Sequence, residues 1–435
     1  MVKASDFLGM NARNSIFGKR NTKRAKHYAN SKLAGKKVLE KADILTPKVL
    51  AVFEKPDDAF EFAWEALPGS FVVKPEDGNG GNGVWVIRRK ARWAGEWWRA
   101  DGAKVSIGDL RLHVQDILEG KYSPYERESR AFIEERIPLA TRFKRYAYRG
   151  TPDIRVVVFN KVPVMAMLRL PTEESDGRAN LHQGAIGLGI DIATGVTTYG
   201  MHYDRLIKYI SKRKSKVKRK VNGLKIPKWT QILKMAVACQ EASGLAYLGV
   251  DIVLHPAQGP MVLELNANPG MRIQIANKAG LRRRLERVKD LEVRDADHGV
   301  KIAKALFASR FAAKVRLSDE KAVIQNLEEI KIRLSKKKRT PVLAKVDTGA
   351  YRSSIDKDLA QELGLLKEDN ILWHRGYISG LGKERRPVIE VTFYLKGRRI
   401  KTAVSVSNRS RMKAKFLIGR RDLGGFLVEP SSEKL

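Results

Sequence analysis

Residues Asp77-Gly-Asn-Gly-Gly-Asn-Gly-Val-Trp-Val-Ile87 (DGNGGNGVWVI) carry glycines at 78, 80 and 83 in the pattern G-x-G-x-x-G. Three structures compete for that string: a dinucleotide-binding turn, a flap over phosphates, and a flexible solvent hairpin. A dinucleotide turn needs a helix straight after it, so that pyrophosphate rests on the helix N-terminus. Here Val84-Trp85-Val86-Ile87 follows, β-branched and aromatic, a poor helix start. A P-loop needs Gly-Lys-Ser/Thr, which is absent. The preceding Phe71-Val-Val-Lys-Pro75 is itself strand-like, so the segment reads as strand, glycine loop, strand. Such a loop lets the backbone N–H groups of Gly78, Gly80, Gly81 and Gly83 close over phosphates without Cβ obstruction. Lys74 brings a positive charge to the same place.

A hairpin further on strengthens the phosphate reading. Leu248–His255 (LGVDIVLH) and Gly259–Asn266 (GPMVLELN) fold back on each other about Ala257-Gln258-Gly259, which sets Asp251 opposite Glu264. Glu264 and Asn266 are two apart on a strand and point to one face. Asp251, Glu264 and Asn266 are hard oxygen donors of the kind Mg²⁺ prefers, with Mn²⁺ the alternative. Two acids in strands this apolar are costly to bury without such a role.

Composition sets the outer limits. The 435 residues suffice for two or three domains. No uncharged apolar run approaches the ~18 residues of a membrane span, and MVKASDFLGMNARNSIF lacks a signal-peptide core, so a cytoplasmic protein is expected. A single cysteine, Cys239, excludes an intrachain disulfide and a thiolate-rich zinc site. The 84 Lys and Arg against 48 Asp and Glu leave a formal net charge of +36. The excess gathers at Lys212–Lys220, Arg282–Arg284 and Lys336–Arg339. That predicts either an acidic partner (RNA, the ribosome or a glutamate-rich substrate) or simply solvated basic loops. Aromatics are not interleaved with these runs as a base-stacking surface requires.

Apolar spacing predicts a helix within residues 32–45, a short strand at Val49–Phe53 and a hairpin over 154–170 turning at Asn160-Lys161. An amphipathic helix is expected at Trp229–Ala242, and basic helix from about 285 to 322. Beyond Glu328 short strands and turns take over, which predicts one domain over 1–315 and another over 325–435.

Taken together in order and spacing, FVVKPEDGNGGNGVWVI, AFIEERI, PDIRVVVF, RANLHQGAIGLGIDIATG, LGVDIVLH and MVLELNANPG resemble the ATP-grasp fold. They are most similar to the alpha-L-glutamate ligase-like (RimK-related) proteins, over roughly residues 7–285. The resemblance implies ATP-driven joining of a carboxylate to an amine through an acyl-phosphate, on an amino acid and a peptide or protein. It implies that Lys36 and Lys74 hold ATP phosphates, that Phe132–Ile137 forms the adenine hinge, and that Glu134 and Glu135 contact base or ribose. Asp251, Glu264 and Asn266 would carry two Mg²⁺. Arg155, Arg169 and Arg178, with Asn180, would face the γ-phosphate and the substrate carboxylate, as the guanidinium fork suits oxyanions. One departure is HQGA, where related ligases often carry another Arg; His182 reads as a structural histidine.

In the last hundred residues Asp347-Thr-Gly-Ala350 follows an apolar strand, and Phe416-Leu-Ile-Gly419 with Arg421-Asp422 closes the segment. This resembles a retropepsin-like aspartic protease domain over about 325–435, with Gly380 and Gly382 in a flap. Such chemistry requires two aspartates sharing a proton. With a single D-T-G, the resemblance implies a homodimer that brings Asp347 from each subunit to a two-fold axis. The expected whole is an α+β ATP-grasp fold followed by a small all-β retropepsin-like barrel. Two rival readings remain: a peptidase regulated by its nucleotide-binding part, and a basic RNA- or ribosome-binding protein with vestigial sites.

Overall fold

The computed structural model describes residues 3–78, 80–124, 127–203, 205–210, 218–308, 322–335, 338–379 and 382–429. Part of the basic run, at 212–217, residues 336 and 337, residues 309–321 with most of the boundary expected between 315 and 325, and Gly380 lie outside the described residues. The chain divides into two compact units, Met1–Asp290 and Leu291–Leu435. The helix Ala296–Phe307, which the sequence placed in the first domain, thus belongs to the second unit.

The first unit holds two large antiparallel sheets and a two-stranded one, Tyr209–Ile210 with Arg219–Lys220. In the six-stranded sheet the order is Val49–Phe53, Ala131–Glu135, Phe71–Pro75, Trp85–Lys90, Glu96–Arg99, Lys104–Ser106. Phe71 pairs with Ile87 and Val73 with Trp85, so the glycine loop joins two neighbouring antiparallel strands. Strand alternation gives this sheet two different faces. Phe71, Val73, Ile87, Trp97 and Ile133 pack into a core with Leu110, Val114 and Ile117 of the helix Ile107–Leu118. That helix begins at a capping box: Ser106 Oγ accepts from Asp109 N, and Asp109 Oδ2 accepts from Ser106 N at 2.8 Å. Val72, Lys74 and Glu134 alternate with these core residues and line a cavity.

The second sheet has seven strands in the order Arg205–Ile207, Thr197–His202, Ile186–Ile190, Val162–Leu170, Asp153–Phe159, Tyr247–His255, Gly259–Asn266. Asn160 (φ 50) and Lys161 (φ 56) are both left-handed, as a two-residue hairpin turn of this hand requires. The helix Trp229–Ser243 lays Ile232, Leu233, Ala236 and Val237 against this sheet. It stops at Gly244 (φ 67), whose N–H reaches the Gln240 carbonyl at 3.0 Å.

In the second unit, strands Leu327–Arg333, Arg339–Asp347, Phe416–Gly419, Ser354–Asp356, Arg398–Ser407 and Gly382–Leu395 follow one another. Lys331↔Tyr394 and Ile332↔Phe393 close the sheet into a six-strand barrel, and Ile371–Ser379 pairs outside it. Ile330, Ile355, Val391, Phe393 and Phe416 fill its interior.

Candidate functional site

A cavity of about 820 Å³ lies in the first unit, lined from both sheets. Strand register builds one wall. Asp251 stands opposite Glu264 on one side and Arg155 on the other, while Asp153 stands opposite Arg169. Residues 153 and 155, and 264 and 266, are two apart and so share that face. The buried carboxylate of Asp251 accepts from Arg155 Nε at 2.7 Å and Nη2 at 2.6 Å, and from Arg169 Nη2 at 2.6 Å. Arg169 also donates Nε to Asp153 Oδ1 at 2.5 Å and Nη2 to Oδ2 at 2.7 Å. Among the described residues neither Arg155 nor Arg169 bonds through Nη1. Each arginine therefore keeps part of its fork for an oxyanion.

The two carboxyls of this network titrate differently. Burial raises the pKa of Asp251, but Arg155 and Arg169 overcome it and hold the carboxyl below the usual range. Burial pushes Asp153 up to about 7; Arg169 opposes the rise and the negative charge of Asp251 adds to it.

Lys74 and the glycine loop line the same cavity. Gly78, Gly80 and Gly81 line it, with Gly80 at φ 67 and Gly81 at φ 81. Asn180 Nδ2 donates to the Gly80 carbonyl at 3.4 Å, and the Arg178 side chain lies beside Gly81. The Arg178 guanidinium makes no ion pair among the described residues. Gly83 (φ 71) does not line the cavity: a Cβ there would meet Tyr122 Cγ at 2.6 Å, so this glycine serves the turn and its packing. Its carbonyl is held by His113 Nε2 at 3.0 Å.

Two expected nucleotide contacts, Lys36 and Glu134, are engaged with each other. Lys36 is not part of the lining; its buried Nζ lies 3.0 Å from Glu134 Oε2 and donates to the Pro47 carbonyl at 2.6 Å. Glu134 Oε1 takes Lys74 at 2.5 Å, so this carboxylate is enclosed by lysines rather than open to a base or ribose. Burial raises Glu134, yet Lys74 and Lys36 prevail and keep it ionised below the usual range. Glu135, the next residue, lines the cavity without an ion pair among the described residues.

Two residues were not singled out in the sequence. Lys32, one turn before Lys36, lines the cavity and donates to the carbonyls of Gly78 (2.6 Å) and Glu76 (3.1 Å). Its signal was its place directly after Ser31, whose Oγ caps the helix. Asp153 was quoted within a motif without a role; its spacing of two from Arg155 on a strand was the signal. Asp347 lies in the second unit at the end of its barrel strand, where Oδ1 accepts from Gly349 N at 2.9 Å and Ala350 N at 3.0 Å.

Residues 11–290 match the family described as sugar-transfer associated ATP-grasp. The chain belongs to that family. Among curated proteins none matches. Solved structures similar to parts of the chain include the ATP-grasp ligase PsnB with a phosphomimetic variant of its minimal precursor, Mg and ADP. That match has 18% identity, a TM-score of 0.32, and covers 61% of this chain and 59% of PsnB. D-alanine–D-alanine ligase from Bacillus anthracis matches at 15% identity and TM-score 0.33, over 65% of this chain and 73% of the ligase. The protein Lpg0085 of unknown function from Legionella pneumophila matches at 18% identity and TM-score 0.18, over 26% of this chain and 94% of its own. This chain thus spans about six-tenths of PsnB.

ATP with Mg²⁺ is the cofactor pair of ATP-grasp ligases, and the donor set here fits it. Among the described residues no three His, Cys, Asp or Glu form a metal cluster alone. Asn266 completes the set: Nδ2 lies 3.4 Å from both Asp251 Oδ2 and Glu264 Oε1, and the amide turned over presents Oδ1 to the same point. Val72, Val86, Ile137, Val253 and Leu263 add apolar lining to the cavity. No helix among the described residues is long and apolar enough to cross a membrane.

Proposed function

We propose that this ATP-grasp protein is an ATP- and Mg²⁺-dependent carboxylate–amine ligase. One observation carries the reading: Arg155, Arg169, Asp251, Glu264 and Asn266 share one wall of a cavity that Lys32, Lys74 and the glycine loop also line. In this reading the substrate carboxylate takes the γ-phosphoryl group from ATP, releasing ADP. The amine then attacks the acyl carbon, phosphate leaves, and the amine loses a proton. Gly78, Gly80 and Gly81 present backbone N–H groups to phosphates, and Lys32 and Lys74 add charge. Arg155 and Arg169 offer their unpaired Nη1 groups to the oxyanion, and Arg178 offers its guanidinium to the substrate carboxylate. Asp251, Glu264 and Asn266 would hold Mg²⁺, which supplies charge neutralisation at the phosphates.

The substrate class we favour is glutamate or a similar amino acid added to a peptide or protein. The family description adds carbohydrate-linked acceptors to the panel to be tried. Purified protein with ATP, Mg²⁺ and pooled acceptors should release phosphate in an acceptor-dependent way. The release should disappear in Lys74→Ala and Glu264→Gln. A folded wild type that turns over ATP with no member of the panel removes the ligase assignment.

A second activity has its own support. Asp347 ends a strand of a closed barrel, with one carboxylate oxygen already fixed by two backbone N–H groups. A retropepsin-like peptidase would use it in a homodimer, trimming the ligated product. Peptide cleavage lost in Asp347→Asn, and self-association in sedimentation, are the observations that reading requires.

A further inference from the structure

We infer that Asp153 is a positioning residue: by holding Arg169 it balances the charge beside Asp251 and leaves that carboxylate able to accept a divalent cation. The inference rests on the ligase reading of the cavity and adds a role that the motif residues do not supply.

Asp251 alone faces two guanidiniums. Arg155 grips it with Nε at 2.7 Å and Nη2 at 2.6 Å, and Arg169 adds Nη2 at 2.6 Å. One carboxylate against two cations leaves a net charge of +1, and a dication brought there would meet repulsion inside a buried site, where screening is weak. Asp153 in its ionised form, which the measurements below secure by working at pH 8, removes that surplus. It engages Arg169 through Nε and Nη2, so that only Nη2 is shared with Asp251. In the fold Oδ1 of Asp251 accepts once from these arginines and Oδ2 twice, which leaves Oδ1 a lone pair for a cation. Without Asp153 the Arg169 fork is free to close on Asp251 in the two-pronged manner of Arg155 and occupy that one as well. Glu264 lies 3.9 Å from Arg155 and is more exposed; its charge is the same in every variant considered.

The pair is costly as structure alone. Asp153 is 4% exposed and sits directly across from Arg169 on adjacent strands, where an aliphatic pair would avoid two desolvated charges. Apolar residues occupy the neighbouring rung, Ile154 opposite Leu168. Charge is placed only on the cavity face.

The test is Mn²⁺ binding to the full chain at pH 8 with the non-hydrolysable nucleotide AMPPNP, read from the electron paramagnetic resonance of free Mn²⁺. Asp153→Asn and Asp153→Ala should weaken Mn²⁺ binding by about 10- to 100-fold, the usual scale for partners of metal-binding groups. Asp153→Glu should keep most of the affinity. Asp153→Ala/Arg169→Ala, which removes both charges, should restore binding towards the wild type. A purely architectural role for Asp153 predicts the reverse, because the second substitution would add damage. The Arg169 variants, single and double, are read with Mn²⁺ alone, against the wild type and Asp153→Ala in the same condition, so that the loss of Arg169 from the phosphates does not enter. Under that condition Arg169→Ala leaves a net negative site and should bind Mn²⁺ more tightly than the wild type. That order can be read even if the Asp153 single variants fail to fold. Unchanged affinity in Asp153→Ala, a double variant no better than the single, or weaker nucleotide-free binding in Arg169→Ala overturns the inference while leaving the ligase reading intact. A wild type that binds no Mn²⁺ with AMPPNP overturns both.

Discussion

Glu134 and Glu264 face the same cavity and answer to different physics. Glu134 is 3% exposed, with Lys36 at 3.0 Å and Lys74 at 2.5 Å. Neutralising it leaves two lysines in a desolvated pocket, so Glu134→Gln should cost about 3–5 kcal/mol in urea unfolding. The Glu264 side chain is 37% exposed and 3.9 Å from its nearest cation. Glu264→Gln should move the unfolding midpoint little while abolishing ATP-dependent phosphate release. The lysines divide likewise. Lys32→Ala should raise the KM for ATP, because its Nζ is at the glycine loop, whereas Lys36→Ala should act mainly on stability. Sequence alone did not separate these pairs. Lys32 and Lys36 lie a turn apart on one helix, and which of them meets the loop depends on how that helix is rotated against the sheet. Glu134 and Glu135 alternate on a strand, and only the position of Lys36 decides that the first of them is enclosed.

At the scale of elements, the glycine loop is anchored at its end by the neighbouring helix. His113 stacks on Trp85 with ring centroids 3.9 Å apart and holds the Gly83 carbonyl through Nε2 at 3.0 Å. Burial lowers its pKa to about 4, so it is neutral in the fold. Below its ordinary value of 6.5 the unfolded chain takes up the proton that the folded chain refuses. Stability should therefore fall as pH drops from about 6.5 towards 4, by up to about 3 kcal/mol. Urea midpoints at pH 7.5 and 5 should show this loss in the wild type and much less of it in His113→Gln. In the loop itself, Gly83→Ala should destabilise, since Gly83 has positive φ and an added Cβ would come within 2.6 Å of Tyr122 Cγ. Gly81→Ala should instead reduce kcat/KM for ATP. The strand on each side of this loop was legible because β-branched and aromatic runs flank it. The Asp251–Glu264 register was legible because the tight turn about Gln258 fixes the pairing. The helix Ile107–Leu118 went unread although Ser106 and Asp109 spell its capping box, because its buried face includes His113 while the apolar Leu112 faces solvent.

At the scale of the molecule, the two candidate chemistries occupy different units. Every residue lining the cavity falls between Ala29 and Asn266, in the first unit, and Asp347 with its turn belongs to the second. The barrel could be anticipated as β-rich from its short strands, but its closure rests on Lys331↔Tyr394 and Ile332↔Phe393, pairings some sixty residues apart that no local pattern encodes. Asp347→Asn should accordingly leave acceptor-dependent phosphate release within about twofold, the spread of a substitution uncoupled from the site. Glu264→Gln should abolish that release and leave any peptide cleavage in place. Measuring both activities on both variants separates three arrangements. Independent loss of each activity fits two enzymes on one chain. Loss of phosphate release in Asp347→Asn would mean that nucleotide chemistry serves the peptidase. Survival of steeply salt-dependent RNA binding after both substitutions, with neither activity in the wild type, would make the +36 charge the functional feature and the two sites vestigial. The paired charges of the cavity count against the last of these: Asp153, Arg155, Arg169 and Asp251 are held against their desolvation cost in an interlocked network that a site without a ligand does not need.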